Sequence, residues 1–151
     1  MKVQELMSNN VRTCRLESNL AEAARHMWEA DCGALPVVGA DSQVVGMITD
    51  RDICIAVATK GRSADRIAVR EVRSDHAVHT CLPADEATAA LTTMQTYRVR
   101  RLPVVDGQGH LQGIVSLNDI VTHSGAASSA QIATTLASIC EHRAPISQAS
   151  A

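Results

Sequence analysis

Aromatic side chains are almost absent from this chain of 151 residues, which has no Phe, one Trp and one Tyr. Its core therefore has to be built from Val, Ile, Leu, Ala and Met, and a flat ligand is expected to lie between aliphatic walls. No basic stripe interleaved with aromatic residues is visible, and the net charge is −2. These features exclude nucleic acid as the default partner.

Long apolar runs are also missing. The first six residues, Met1 to Leu6, include a Lys and a Glu and do not form the apolar stretch of a secretory signal. No apolar run approaches the length of about 20 residues that a helix needs to cross a bilayer. The sequence therefore predicts a cytoplasmic protein that does not associate with membranes.

Paired cysteines are absent as well, since the five Cys residues are dispersed and form no Cys-x-x-Cys pair. This usage favours reduced thiols over a disulfide framework. We expect Cys14 and Cys81 to be buried as small apolar residues, the alternative being that Cys140 pairs with one of them under oxidation. The six His residues form no His-x-x-x-His pattern, so no metal site is predicted.

The sequence does contain an internal repeat of two copies. Leu35 to Val38 reads Leu-Pro-Val-Val, and the same four letters return 67 residues later, from Leu102 to Val105. Each copy is followed by a Gly-containing apolar run that ends in Thr or Ser, with an Asp three residues on. This order predicts a hairpin and then a helix start.

The repeat also predicts the domain boundaries, which are a first unit over 1–60, a linker over 61–65, a second unit over 66–123 and a tail over 124–151 with a helix. Each unit should contain a short opening helix, an extended segment, a long helix, the hairpin and a closing helix. Ser18 or Asn19 is expected to cap the first long helix, and Asp85 the second. The stability of either unit alone would be marginal, so the two units should share a core.

This arrangement resembles a tandem pair of CBS domains, known as a Bateman module, over about residues 1–123. The resemblance implies an α+β fold of two βαββα-type repeats related by a pseudo-two-fold axis, with the sheets packed together and the helices outside. It also implies two clefts that hold an adenine nucleotide (AMP, ATP or NAD) without a metal. Modules of this family commonly form homodimers through their helices.

The predicted helix starts hold two equivalent polar pairs. Asp52 and Asp119 either cap or complement the helix, stabilising it by roughly 0.5–2 kcal/mol, or accept ribose hydroxyls as the resemblance implies. We favour the ligand interpretation for both. Thr49 and Ser116, three residues earlier, either cap the helix or contact sugar or phosphate, and both readings stay open.

The two repeats differ just before Leu-Pro, where the second repeat has Arg98, Arg100 and Arg101. These residues either form a solvated cationic edge that discourages strand pairing or capture phosphate with their guanidinium groups. Arg51 either assists phosphate binding or forms an ion pair within its helix.

The first repeat has Asp31, Gly33 and Ala34 at the matching places, and the last two are small. They would let a flat base approach the backbone, with Ile48 or Ile114 as the apolar wall, or they would simply allow the hairpin to pack on its helix. The set of predicted nucleotide-binding residues is completed by an equivalent pair near the start of the two units, Thr13 and Thr80.

Trp28 either covers the core or anchors a dimer face, where Trp is enriched. We favour the interface, because Leu20, Ala23, Ala24 and Met27 already form a separate apolar stripe.

No catalytic constellation stands out, since the sequence has no Gly-x-Ser-x-Gly motif and no P-loop. We predict a homodimeric, nucleotide-binding sensor that acts on a separate, unidentified protein effector. One alternative is a scaffold whose clefts stay empty and whose function is oligomerisation. A more distant alternative is an enzyme with its active site in a cleft.

Overall fold

The computed structural model describes residues 1–72, 77–123 and 125–141. The first repeat contains β1 (Cys14–Arg15), α1 (Leu20–Glu29), β2 (Ala34–Val38), β3 (Val44–Thr49) and α2 (Asp50–Lys60). The second contains α3 (Ala87–Tyr97), β4 (Arg101–Val105), β5 (Leu111–Ser116) and α4 (Leu117–Thr122), and α5 (Ser129–Cys140) follows. Short 3-10 turns lie at Val3–Glu5, Ala64–Arg66 and Val69–Glu71. The predicted α+β fold of two repeats, each with a small sheet and flanking helices, is confirmed.

The two Leu-Pro hairpins are built in the same way. β2 pairs antiparallel with β3, and β4 with β5, each with a register shift at its end. β1 runs parallel to β2, and Cys81 makes the equivalent parallel bridge to Val104. Because strand residues alternate between faces, Leu35 and Val37 are buried in the first hairpin and Leu102 and Val104 in the second.

The short segment that opens each unit, around Val3 in the first and Val69 in the second, packs in the core of the other repeat. Val3 is fully buried in the core of the second repeat, where its N–H donates to the carbonyl of Asp85 at 2.9 Å. Val69 is fully buried in the core of the first repeat, where its N–H donates to the carbonyl of Ser18 at 2.8 Å. Each core is therefore completed by a segment that the sequence attaches to the other repeat.

A glycine makes one of these exchanges possible. Ser8, at the end of the first opening segment, pairs with Ile114 of β5 through two backbone hydrogen bonds of 2.9 and 3.0 Å. A Cβ atom at the neighbouring Gly113 would lie 2.8 Å from the carbonyl oxygen of Ser8. The glycine in this strand thus allows the close approach of the two backbones.

The two hairpin turns meet at the pseudo-two-fold axis. Gln43 and His110, which occupy equivalent positions in the two repeats, form an antiparallel bridge with each other. The N–H of Val44 donates to the carbonyl of Gly109 at 3.0 Å, and the side chain of Gln43 donates to the carbonyl of Gln108 at 2.8 Å. The hairpins are consequently joined at their tips, and the seam between the repeats opens on either side.

One predicted helix cap is wrong. Asn19 caps α1 by accepting from the N–H of Glu22 at 2.9 Å, as predicted. In the second repeat the capping position is Glu86, the equivalent of Asn19, and its side chain makes no capping bond. Asp85 lies one residue earlier and accepts from the N–H of Leu82 at 2.8 Å, so it stabilises the preceding turn instead.

The tail helix α5 covers the second repeat. Ile132 and Ile139 pack against that repeat's core, and the hydroxyl of Ser138 donates to the carbonyl of Gln95 in α3 at 3.0 Å. The corresponding outer face of the first repeat, formed by α1 and α2, leaves the Trp28 side chain 87% exposed. Among the helices of the described residues, none is long and apolar enough to cross a membrane.

Candidate functional site

Two clefts open at the seam between the repeats. They lie at equivalent positions but differ in volume. The larger has a volume of about 670 Å³ and the smaller about 300 Å³. Most residues of the larger cleft have their partner 67 positions away in the smaller one: Thr49 matches Ser116, Asp52 matches Asp119, and Val78 matches Val11. The clefts are therefore the two copies of one site.

Each cleft is built from both repeats. In the larger, Thr49 and Asp52 from the start of α2 face Arg98 and Arg101 from the end of α3 and the start of β4. In the smaller, Ser116 and Asp119 from the start of α4 face residues of the first repeat, including Ala34 and Asp31, together with Arg101. Asp52 of the first repeat thus faces residues of the second, and Asp119 of the second repeat faces residues of the first.

Both carboxylates cap their helices. Asp52 Oδ2 accepts from the N–H of Thr49 at 2.9 Å, and Thr49 Oγ1 accepts from the N–H of Asp52 at 3.1 Å. The equivalent bonds of Ser116 and Asp119 are 2.7 and 3.2 Å, and the Ser116 hydroxyl also donates to Asp119 Oδ2 at 2.7 Å. These hydrogen bonds use the Oδ2 atom of each carboxylate, and a carboxylate offers about four acceptor sites. Capping and ligand binding are therefore compatible.

The arginines that distinguish the second repeat are separated by the structure. Arg98 ends α3 in the left-handed conformation, with φ of 54°, and lines the larger cleft, while its Nη2 lies 2.7 Å from Glu141 Oε2. Arg101 is half-buried and lines both clefts. Arg100 and Arg51 are exposed and are not among the residues that line either cleft.

Sequence reasoning missed a pair of stacked rings in the larger cleft. The rings of His79 and Tyr97 have centroids 3.4 Å apart and an interplanar angle of 11°. The expectation of purely aliphatic walls is therefore wrong for this cleft. The equivalent residues of the first repeat are Arg12 and Ala30, which line the smaller cleft. The 67-residue offset identifies these residues as counterparts, but nothing in the sequence shows that His79 and Tyr97 stack on each other.

Besides Arg51 and Arg100, three residues predicted to contact the ligand do not line a cleft. Ile48 is fully buried in the core of the first repeat; the strand residue beside it, Met47, lines the larger cleft as the counterpart of Ile114 in the smaller. Ile48 was one residue out of register, and in a strand one residue reverses the face. Thr13 and Thr80 are half-buried and line neither cleft.

Gly33 serves the packing of its own repeat. A Cβ atom there would lie 2.9 Å from Asp50 Oδ2, and the Gly33 carbonyl accepts from the N–H of Asp50 at 3.1 Å. Gly33 lines a groove of about 520 Å³ on the outer face between α1 and α2, together with Trp28 and Cys32. It does not line either seam cleft.

The duplicated architecture agrees with a comparison with known families, in which the CBS domain matches twice, over residues 3–59 and 69–125. The chain belongs to the CBS-domain family. The predicted tandem pair is thereby confirmed, and the two matches each contain one Leu-Pro hairpin and one capped helix.

Several CBS proteins are similar to this chain over most of their length. The CBS domain-containing protein YhcV of Bacillus subtilis is 35% identical over 133 residues, which are 88% of this chain and 92% of YhcV. Hypoxic response protein 1 of Mycobacterium tuberculosis is 33% identical over 120 residues, 80% of this chain and 82% of that protein. The crystal structure of Hypoxic Response Protein I with two coordinated zinc ions has a TM-score of 0.73 and 32% identity, covering 82% of this chain and 98% of that one. 

A ligand-bound structure is also similar. The CBS domain pair of protein MJ0100, in complex with 5′-methylthioadenosine and S-adenosylmethionine, has a TM-score of 0.72 and 25% identity, covering 81% of this chain and 94% of that one.

Other relatives are longer than this CBS pair. The match spans 61% of an uncharacterized protein of Methanopyrus kandleri. It spans only 23% of a homoserine O-acetyltransferase of Methanococcoides burtonii, so most of that enzyme has no counterpart in the match.

The cysteines of this CBS pair differ in exposure, and Cys32 is half-buried. Cys14 and Cys81 are buried, as predicted, and burial raises the pKa of the Cys14 thiol to about 11 and that of Cys81 to about 12. Cys54 and Cys140 are exposed. Across residues 1–72, 77–123 and 125–141, no group of three His, Cys, Asp or Glu side chains is arranged to hold a metal ion.

Proposed function

We propose that this CBS pair is a regulatory protein that binds an adenosine-containing ligand (AMP, ATP, NAD or a related compound) in its seam clefts and acts on a separate protein. The observation that carries the proposal is the pairing, in each cleft, of a helix-capping Asp from one repeat with the pocket of the other. Protein MJ0100 supports it, since its CBS pair is in complex with two adenosine derivatives.

The larger cleft has the groups that such a ligand requires. Asp52 would accept from the two ribose hydroxyls with its remaining acceptor sites, and the stacked ring of Tyr97 offers a flat surface to a base. Arg98 and Arg101 would bind the phosphates, because a guanidinium group matches the geometry of phosphate oxygens. Thr49, at the same helix start, would donate to sugar or phosphate.

The smaller cleft has a different balance of charge. Its lining includes Asp31 and Asp119 as well as Arg12 and Arg101, and Asp31 takes the place that Arg98 has in the larger cleft. A carboxylate at this place repels a phosphate chain, so we propose that the smaller cleft favours an uncharged adenosine derivative. The two clefts would then report on different ligands.

Regulation follows from the position of the clefts between two repeats that are joined at their tips. A ligand that touches both repeats stabilises the relative orientation it fits best, and only a difference in affinity between two orientations shifts their populations. We further propose that residues 1–60 and 66–123 form the two units, with 61–65 as the linker and 124–151 as the tail.

The scaffold interpretation remains the second candidate, because Asp52 and Asp119 already have capping roles without a ligand. Calorimetric titration with AMP, ATP, NAD, S-adenosylmethionine and 5′-methylthioadenosine distinguishes the two. We expect at least one to bind the wild-type protein and to bind at least about tenfold more weakly to Asp52→Ala or Asp119→Ala. No heat with any of them, while an oligomer persists, would favour the scaffold. Turnover of a nucleotide that a single Asp substitution abolishes would favour an enzyme.

For the partner, we propose a homodimer formed through the outer face of α1 and α2. Trp28 and Ile55 are exposed there by 87% and 52%, whereas the equivalent face of the second repeat is covered by α5 of the same chain. A second copy would cover the open face in a two-fold arrangement. Light scattering after gel filtration should report a dimer for the wild type and a monomer for Trp28→Ala; the exposed Tyr97→Ala, on the cleft side, should remain dimeric. A monomeric wild type would contradict the proposal.

A further inference from the structure

One cleft residue is tied to the tail of the chain. Arg98 lines the larger cleft, and its Nη2 also forms an ion pair with Glu141 Oε2 at 2.7 Å, at the end of α5. The two residues are 43 positions apart in sequence. Glu141 therefore presents a carboxylate to the guanidinium group of one of the two arginines that line the larger cleft.

The contact belongs to a defined junction between α5 and α3. One turn before Glu141, the hydroxyl of Ser138 donates to the carbonyl of Gln95 at 3.0 Å, and Ile139 packs against the core of the second repeat. The N–H of Glu141 donates to the carbonyl of Ala137 at 3.0 Å, so its backbone is still held by the helix. The end of α5 is thus fixed to the second repeat, and this places the Glu141 carboxylate next to Arg98.

The backbone of Arg98 is unusual for its residue type. Its φ of 54° is in the left-handed region, where Gly or Asn commonly ends a helix. The equivalent residue in the first repeat, Asp31, has φ of 48° and is of opposite charge. The two repeats therefore keep the same backbone at this position and differ in the charge that it carries into the cleft.

We infer that Glu141 is a specificity-determining residue of the larger cleft. Its carboxylate pairs with the Arg98 guanidinium group, to which a ligand phosphate would otherwise bind. The tail therefore makes the cleft discriminate between phosphorylated and uncharged adenosine ligands. This inference rests on the proposed function of the cleft. A phosphate would bind Arg98 in competition with Glu141, whereas adenosine has no anionic group that competes with the carboxylate. Binding of a phosphorylated ligand consequently removes one contact, the ion pair, from the end of α5.

The size of the effect follows from the exposure of the pair. The side chains of Arg98 and Glu141 are 37% and 62% exposed, and ion pairs in such positions contribute modestly because water and salt screen them. Removing the competing carboxylate should accordingly strengthen the binding of a phosphorylated ligand by about two- to fivefold. The gain should shrink at high salt and be absent for an uncharged ligand.

The test compares Glu141→Gln with the wild type in titrations with ATP, adenosine and inorganic tripolyphosphate. We expect tighter binding of ATP and tripolyphosphate to the variant, unchanged binding of adenosine, and no gain when Arg98→Gln is combined with Glu141→Gln. The matched control is Glu71→Gln, because Glu71 pairs with Arg62 at 2.5 Å in a similar exposed ion pair that lies outside both clefts.

Hydrogen exchange supplies a second readout. Saturating ATP or tripolyphosphate should speed exchange in the last turn of α5 of the wild type, a change that a purely structural role of the pair does not produce. Equal anion affinities for wild type and Glu141→Gln, or a gain that includes adenosine, would overturn the inference. If tripolyphosphate binds the variant more tightly but no adenosine compound binds any form, the competition of Glu141 with an anion for Arg98 stands, whereas the proposed function and the discrimination between adenosine ligands fail.

Discussion

Asp52 and Asp119 illustrate how one side chain serves stability and binding at the same time. Each accepts the N–H of the residue that caps its helix, which satisfies a donor that the helix itself leaves unpaired. The same geometry holds the carboxylate at the wall of a cleft. A substitution that removes the whole side chain therefore confounds the two roles, and a substitution that keeps the acceptor separates them.

We expect Asp52→Asn to retain the unfolding temperature of the wild type within about 2 °C while weakening binding of an adenosine ligand, because the amide oxygen still caps α2 but carries no charge. Asp52→Ala should lose both binding and roughly 0.5–2 kcal/mol of stability. Thermal unfolding and calorimetry measure the two effects. Asp50→Asn is the control, since Asp50 lies in the same helical turn but outside the clefts; weaker binding in this variant would argue against the assignment.

The raised pKa of the two buried thiols predicts their reactivity and its dependence on pH. At pH 8, iodoacetamide should modify Cys54 and Cys140 in the native protein and reach Cys14 and Cys81 only after unfolding, since the thiolate is the nucleophile. Both folded pKa values lie above the unfolded value near 8.5. The stability they contribute is complete below pH 8.5 and is lost as the pH rises towards 11.

Peptide mapping and denaturant titrations at several pH values check this prediction. Modification of Cys14 in the native state at the rate of Cys54, or an increase of stability between pH 9 and pH 11, would contradict it.

At the scale of elements, the exchange of opening segments explains why the repeats are folded together. Val3 completes the core of the second repeat and Val69 that of the first, so each contact crosses the seam. The segments are too short to be stable helices alone and are observed as 3-10 turns of three residues. Their structure comes from the core that they enter.

Substituting these two valines should produce crossed effects. Val3→Ala should lower the free energy of unfolding by about 1–3 kcal/mol and speed hydrogen exchange first in β4 and β5, although Val3 belongs to the first repeat in sequence. Val69→Ala should do the same in β2 and β3. Exchange monitored by mass spectrometry distinguishes this outcome from the reverse pattern, in which each valine protects its own repeat.

At the scale of the whole molecule, the shared seam makes the two halves dependent on each other. A fragment that ends within the 61–65 linker lacks Ile67 and Val69, and the remaining fragment lacks Val3 and Leu6. A cut between Arg62 and Ser63 therefore removes part of each core but interrupts no helix or strand.

We expect the fragments 1–62 and 63–151 to be unfolded separately and to recover native circular dichroism when they are mixed. The physical reason is that each half is close to the size limit for a stable core and is completed only by the other. A cooperative thermal transition in either isolated fragment would contradict this expectation.

Much of the fold could be predicted from the sequence because hairpins and helix starts are local, and the 67-residue repeat supplied each of them twice. Four site positions followed from the same motif: Thr49 and Ser116, with Asp52 and Asp119, each line a cleft. Ile48 failed because burial in a strand depends on register, which reverses with a single step.

The sequence by itself determined the duplication, the α+β class and the capped helix starts, since neighbouring residues are sufficient to form them. Only the tertiary structure decided which repeat's Asp faces which pocket, because two identical motifs contain no information about how they are paired. It also brought Tyr97 onto His79 and Glu141 onto Arg98. These contacts join segments that are distant in the chain, and they form only when both repeats and α5 pack around the common seam.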